Sequence, residues 1–199
     1  MDIINILKDE LGIKRTQAET AVKLIDEGNT IPFIARYRKE MTGSLDDETL
    51  RNLDERLKYL RNLQDRKDAV LKSIEEQGKL SEELKKQIEE AVTLVTVEDL
   101  YRPYKQKKRT RAMIAREKGL EPLADLIFLQ ASNDPKEDAK EYADPGKGVE
   151  TPEEALQGAK DILAEMISDD AKYREWIRRS FKENGRILSG AKKQGEKSV

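Results

Sequence analysis

Four leucines, Leu50, Leu53, Leu57 and Leu60, recur at intervals of 3 and 4 within the stretch Asp46 to Gln77. That spacing puts them on one side of an α-helix and is incompatible with the two-residue period of a strand. Ser44 stands as the expected N-cap, with Asp47 three residues on. Asp46, Asp47 and Glu48 bring negative charge to the free N–H groups of the first turn. The stripe pauses over Gln64 to Asp68, resumes at Val70, Leu71 and Ile74, and Gly78 offers a left-handed stop. At 1.5 Å per residue a helix over 46–77 is about 48 Å long, against a usual globular length of about 10–14 residues. Two apolar patches with a polar waist predict different neighbours at its two ends. A coiled-coil arm is the alternative, although two broken heptads support it poorly.

Composition narrows what surrounds that helix. Apolar residues make up 37% and charged residues 39% of the 199, the balance of exposed helices covered in Lys and Glu over a thin core. Without Cys there is no disulfide framework or thiolate metal site, which suits a reducing compartment. Without His the commonest general base and metal ligand is missing. The N-terminus alternates Ile with Asp, Asn and Lys, unlike a signal peptide, and no apolar run reaches membrane-spanning length. A cytoplasmic location, no membrane association and no cofactor are expected.

The total charge of −2 conceals an asymmetry. Leu100 to Arg116 holds Arg102, Lys105, Lys107, Lys108, Arg109, Arg111 and Arg116 with no acid, leaving −9 on the remainder. One short basic stretch sits on an acidic body.

Upstream of the long helix, Ile3, Ile6, Leu7 and Leu11 mark a short amphipathic helix closed by Gly12. Thr16 to Glu19 has the form of a capping box and opens a second, with Ala18, Ala21, Val22 and Ile25 on one side. This outline is helix-turn-helix-like. In GNTIPFIARYRKEMTG (28–43), Thr30 caps and Pro32 falls in the first turn, where its missing N–H costs nothing. Phe33, Ile34, Tyr37 and Met41 share a face and are expected in the core. Arg36, Arg38 and Lys39 are either ordinary solvated cations or phosphate contacts.

Downstream, Ser81 caps a helix using Leu84, Ile88, Ala91, Val92 and Val95. A further helix from Thr96 must end by Tyr101, because Pro103 disfavours helix at Arg102. Thr110 then caps Arg111 to Lys118. Lys107, Lys108, Arg109 and Arg111 thus crowd the positive end of a helix, at about 0.3–1 kcal/mol each. A bound phosphate relieves this, with Tyr101 and Tyr104 near enough to stack on a base, or acids of the body pair with the cations, or a protein partner meets them.

Glu121-Pro122 restarts a helix with Leu123, Leu126, Ile127 and Leu129. Asn133-Asp134-Pro135 is a turn leading into a short polar helix to Ala143. The loop at 144–148 lacks the spacing of a phosphate-binding loop. Thr151-Pro152-Glu153-Glu154 starts a helix carrying Ala155, Leu156, Ala159, Ile162, Leu163, Met166 and Ile167. Asp169-Asp170 opens a last one with Tyr173, Trp176, Ile177 and Phe181, and Trp176 is expected to anchor packing. No strand or repeat is evident. The fold class is all-α and multihelical, with short helices over 1–43, a helical body over 44–185 and a polar tail over 186–199.

GNTIPFIARYRKEMTG, the long Leu-striped helix, LYRPYKQKKRTRAMIAREKGLEPLAD and YADPGKGVETPEEALQGAKDILAE, in that order, closely resemble the N-terminal region of the Tex family of bacterial transcription accessory proteins. The resemblance covers essentially the whole chain. It implies a multihelical region with a helix-turn-helix-like part. It also implies full-length members that continue into an RNase-H-like domain without an intact active site, a helix-hairpin-helix segment and an RNA-binding OB-fold domain. Such proteins resemble the bacterial counterpart of a eukaryotic transcription elongation factor. The 199 residues are accordingly read as a fragment preceding those domains.

The leading expectation is a non-catalytic module contacting RNA or DNA phosphates without reading sequence. Its candidates are Arg102, Lys105, Lys107, Lys108, Arg109 and Arg111, then Arg36, Arg38 and Lys39. The alternative is a helical scaffold that packs on downstream domains or docks on the transcription machinery, for which an exposed apolar patch is the sign. Catalysis is not expected, because no carboxylate pair sits in a polar cluster that would tune it.

Overall fold

The computed structural model describes residues 1–131 and 134–190. Asn133 of the expected turn and the tail beyond 190 lie outside the described residues. The chain divides into two compact units, 1–101 and 102–199. Among the described residues the regular elements are α-helices and short 3-10 turns, with one isolated bridge between Asp144 and Val149. No described helix is long and apolar enough to cross a membrane.

Unit 1 is built along α4 (Asp47–Glu76), about 45 Å long at 1.5 Å per residue. Asp46, not Ser44, is its N-cap: the Asp46 carboxylate accepts from Thr49 N–H at 2.7 Å. Ser44 has φ 66 and belongs to the preceding turn. The N-terminal half of α4 buries Leu50, Leu53, Leu57 and Leu60 against α1 (Ile3–Leu11), α2 (Arg15–Asp26) and α3 (Ile31–Tyr37). Leu7, Ala18, Ala21, Leu24 and Ile34 come from these three helices. The second helix starts one residue before Thr16, and the Gln17 side chain accepts from Lys14 N–H, so only this half of a capping box forms, two residues earlier than expected.

The C-terminal half of α4 meets α5 (Glu82–Glu90) and α6 (Leu94–Tyr101), bearing out two ends with different neighbours. The polar waist is only partly polar. Leu63 and Lys67 are both buried there, and the Lys67 ammonium donates to Glu89 O at 2.7 Å. Its buried stem completes a stripe running Leu60, Leu63, Lys67, Val70, Ile74. Helix α5 ends before Ala91, which leaves Val92 and Val95 exposed rather than packed on its face.

Unit 2 packs α7 (Arg111–Glu117) and α8 (Glu121–Phe128) on α10 (Pro152–Asp169), with α9 (Pro135–Asp138) and a 3-10 turn at Ala139–Tyr142 alongside. Its core gathers Ala112, Ala115, Leu120, Leu123, Ala155, Ala159 and Ile162. Small side chains allow the close approach of α7 to α10. A Cβ on Gly158 would run into Leu120 Cδ1 and sit 3.3 Å from Ala115 Cβ. Helix α11 (Ala171–Asn184) follows, capped by Asp170 as expected. It buries no residue, and Trp176 is 65% exposed and therefore no packing anchor.

Candidate nucleic-acid interface

The basic stretch crosses from a 3-10 turn at Arg102–Tyr104 to the N-terminus of α7, where Thr110 accepts from Met113 N–H. The acids of the same unit meet part of it. Glu165 and Asp169 lie four residues apart, hence on one face of the last turns of α10. Arg102 donates to Asp169 at 3.1 Å, and Lys107 pairs with Asp169 and, at 3.5 Å, with Glu165. Arg116 donates to Glu165 at 2.8 Å and lies 3.3 Å from Glu121. Burial pushes the Glu165 carboxyl up, but hydrogen bonds from Arg116 and Thr110 and the charges of Lys107 and Arg116 outweigh it, so its pKa is lowered overall. The hydrogen bond that Arg116 donates to Glu165 is the main reason its own pKa is held above the ordinary value.

Asp169 also sits at the negative end of the α10 dipole, where a carboxylate is disfavoured. Arg102 and Lys107 offset that cost. Arg109 is bound to Glu117 at 2.7 Å. The crowding of cations at the start of α7 is therefore relieved for two of the four by acids of the unit itself.

Lys105, Lys108 and Arg111 are different. All three are exposed and have no carboxylate partner among the described residues. Arg111 also borders a cavity of about 430 Å³ walled by Lys118, Gly158, Glu154 and Asp161, whose mixed charges give it no preference for an anion. Tyr101 is not poised for a base. Its hydroxyl lies 3.0 Å from Ser73 Oγ, and Arg66 covers its ring at 5.3 Å, both within unit 1.

In unit 1, Arg36, Arg38 and Lys39 are exposed, and so is most of the apolar face beside them. Ile34 alone of that face is buried. Phe33, Tyr37 and Met41 are on the surface, contrary to the expected core helix. Helix α3 has seven residues and ends at Tyr37, so Met41 lies past the regular helix and cannot extend the Ile34 contact. Among the described residues no group of three or more acids converges as a metal site.

Comparison with known proteins places this architecture. Residues 1–75 match the family description "Tex-like protein N-terminal domain" and 130–199 match "Tex central region-like". The chain belongs to the Tex family. It is 47% identical over 188 residues to the uncharacterized protein YdcI of Bacillus subtilis, covering 94% of this chain and 26% of that one. It is 46% identical over 201 residues to the transcriptional accessory protein Tex of Neisseria gonorrhoeae, covering 99% and 26%. A human relative, S1 RNA-binding domain-containing protein 1, is 33% identical over 179 residues, 89% of this chain and 18% of its own. The chain spans about a quarter of the length of the bacterial Tex relatives it matches.

Proposed function

We propose that this chain is a non-catalytic helical module of a Tex-like transcription accessory protein that touches the backbone of RNA or DNA through Lys105, Lys108 and Arg111. What supports the reading is selective availability. Arg102, Lys107, Arg109 and Arg116 are engaged by Asp169, Glu165 and Glu117, while these three exposed cations have no carboxylate partner among the described residues. The engaged residues hold the stretch in shape, and the exposed ones face solvent at the start of α7. The names of the relatives, a transcriptional accessory protein and an S1 RNA-binding protein, point to the same partner class. Such contacts displace counterions, so affinity for labelled RNA or duplex DNA falls with salt by about 0.7–0.9 in log–log slope per cation. Changing Lys105, Lys108 and Arg111 to Glu abolishes that binding. An unchanged affinity and slope, or no binding by the parent chain at low salt, overturns the reading.

A second reading is favoured by α11. Trp176 and Phe181 (73% exposed), with Tyr173 and Ile177, leave an apolar stripe uncovered on a helix flanked by arginines. In a polypeptide of the relatives' length, the chain that follows is the occupant we propose, since covalent linkage gives it a high effective concentration. Amide exchange over 171–184 tests this: protection rises in the longer polypeptide, and equal protection in both overturns it.

A further inference from the structure

We propose that Phe33 and Tyr37 form a base-stacking platform for single-stranded nucleic acid, with Arg36, Arg38 and Lys39 holding the phosphates on either side. The inference rests on the nucleic-acid reading above but uses residues of the other unit.

The rings lie four residues apart on α3, so one turn of helix stacks them, with centroids 5.2 Å apart and planes inclined by 46°. The Arg38 guanidinium covers Phe33 at 5.4 Å, the geometry of a cation–π contact. Phe33 and Tyr37 are 37% and 60% exposed, so Tyr37 offers its outer face to a flat partner. Ile34, next to Phe33 in sequence and fully buried, anchors the helix to the core of unit 1.

The chain after the rings is also held. Gln17 Nε2 donates to Thr42 O at 3.2 Å and Gly43 O at 2.9 Å, and the buried Thr42 hydroxyl donates to Lys39 O at 3.1 Å. Gly43 has φ 64, and a Cβ there would lie 2.9 Å from Gln17 Nε2, so this turn favours glycine. A platform held in place before binding loses little conformational freedom when a ligand arrives.

Charge supplies the second line. Unit 1 carries 22 acidic against 17 basic side chains. Of its seven arginines, Arg15, Arg51, Arg56, Arg61 and Arg66 each bind a carboxylate. The two that do so nowhere among the described residues are Arg36 and Arg38, the two beside the exposed rings. Three cations and two rings within seven residues, Phe33 to Lys39, with no acid among them, match a ligand that alternates flat apolar faces with anions. A single strand has that pattern. A duplex hides its base faces, so it would meet the cations alone.

The test uses the full 199-residue chain and three labelled probes of equal length: a uridine-rich RNA strand, an abasic strand and a duplex. Base stacking contributes about 1–3 kcal/mol per base, so Phe33→Ala with Tyr37→Ala should weaken binding to the RNA strand by at least about five-fold. Affinity for the abasic strand and the duplex should be unchanged, Tyr37→Phe should retain RNA binding, and circular dichroism should confirm the fold. An unchanged RNA affinity overturns the platform, and so does an equal loss of affinity for the abasic strand and the duplex. The Lys105, Lys108 and Arg111 variant separates the two readings. If it alone loses RNA binding, the stretch in unit 2 is the site and the platform is rejected. If only the ring variant loses it, the platform stands without that stretch.

Discussion

Arg116 donates to Glu165 at 2.8 Å across 49 residues of sequence, tying the end of α7 to the last turns of α10. The same carboxylate receives Lys107, so one partly buried acid holds two cations of the basic stretch. Glu165→Gln removes the charge and leaves Lys107 to Asp169 and Arg116 to the more exposed Glu121. The expected destabilisation is about 1–3 kcal/mol, between the values for exposed and for buried pairs, read by urea unfolding.

That pair also sets a pH dependence. The folded-state pKa of Glu165 lies below its ordinary 4.5, so its stabilisation is present above that value and is lost as pH falls through the folded pKa. Between about pH 5 and pH 3 the parent chain should lose more stability than Glu165→Gln does. Equal acid sensitivity of the two would show that the pair contributes nothing.

Lys67 presents the opposite case. Desolvation lowers its pKa, against the pull of Glu89 and Asp68, so the folded state binds this proton less readily than the unfolded chain does. Stability from this group therefore rises as pH climbs from the folded pKa towards 10.5. Lys67→Ala removes both the buried stem and the charged bond to Glu89 O, and should cost about 2 kcal/mol. Lys67→Met keeps the stem and should cost less. Thermal melting of the two variants checks the order.

Gly158 lies inside α10, where alanine would ordinarily favour the helix by about 1 kcal/mol. The approach of Leu120 and Ala115 reverses that sign, since Leu120 is buried in the core and Ala115 Cβ has no freedom to move aside. Gly158→Ala should destabilise unit 2 by about 1–3 kcal/mol, and Gly158→Val by more. Calorimetry of both variants provides the measurement.

Lys107 and Lys108 are neighbours in sequence with different employment. Lys107→Ala should lower stability and leave the salt slope of RNA binding nearly unchanged, because its charge is already matched by Asp169 and Glu165. Lys108→Ala should leave stability unchanged and reduce the slope by about 0.7–0.9. A paired melting and salt titration distinguishes them.

Much of the fold was legible because its signals are local. The stripe at Leu50, Leu53, Leu57 and Leu60, the caps at Ser81, Thr110, Thr151 and Asp170, and the stop before Pro103 each depend on a few adjacent residues. The burial of Lys67 was legible in principle. It takes the next place in the spacing after Leu60 and Leu63, and polarity of the residue type masked a periodicity that was intact. Exposure of Trp176, Tyr37 and Phe33 was not legible. Helical period says which residues share a face, and only a neighbouring element decides whether that face is covered.

By itself, then, the sequence determined an all-α chain, its long helix and the place of its basic stretch, because hydrogen-bonded turns, caps and charge runs are written within a few residues of one another. Tertiary structure alone decided which cations remain available to a ligand. Asp169 and Glu165, which claim Arg102, Lys107 and Arg116, lie 49 to 67 residues away from them, and a charge is neutralised by what folds against it.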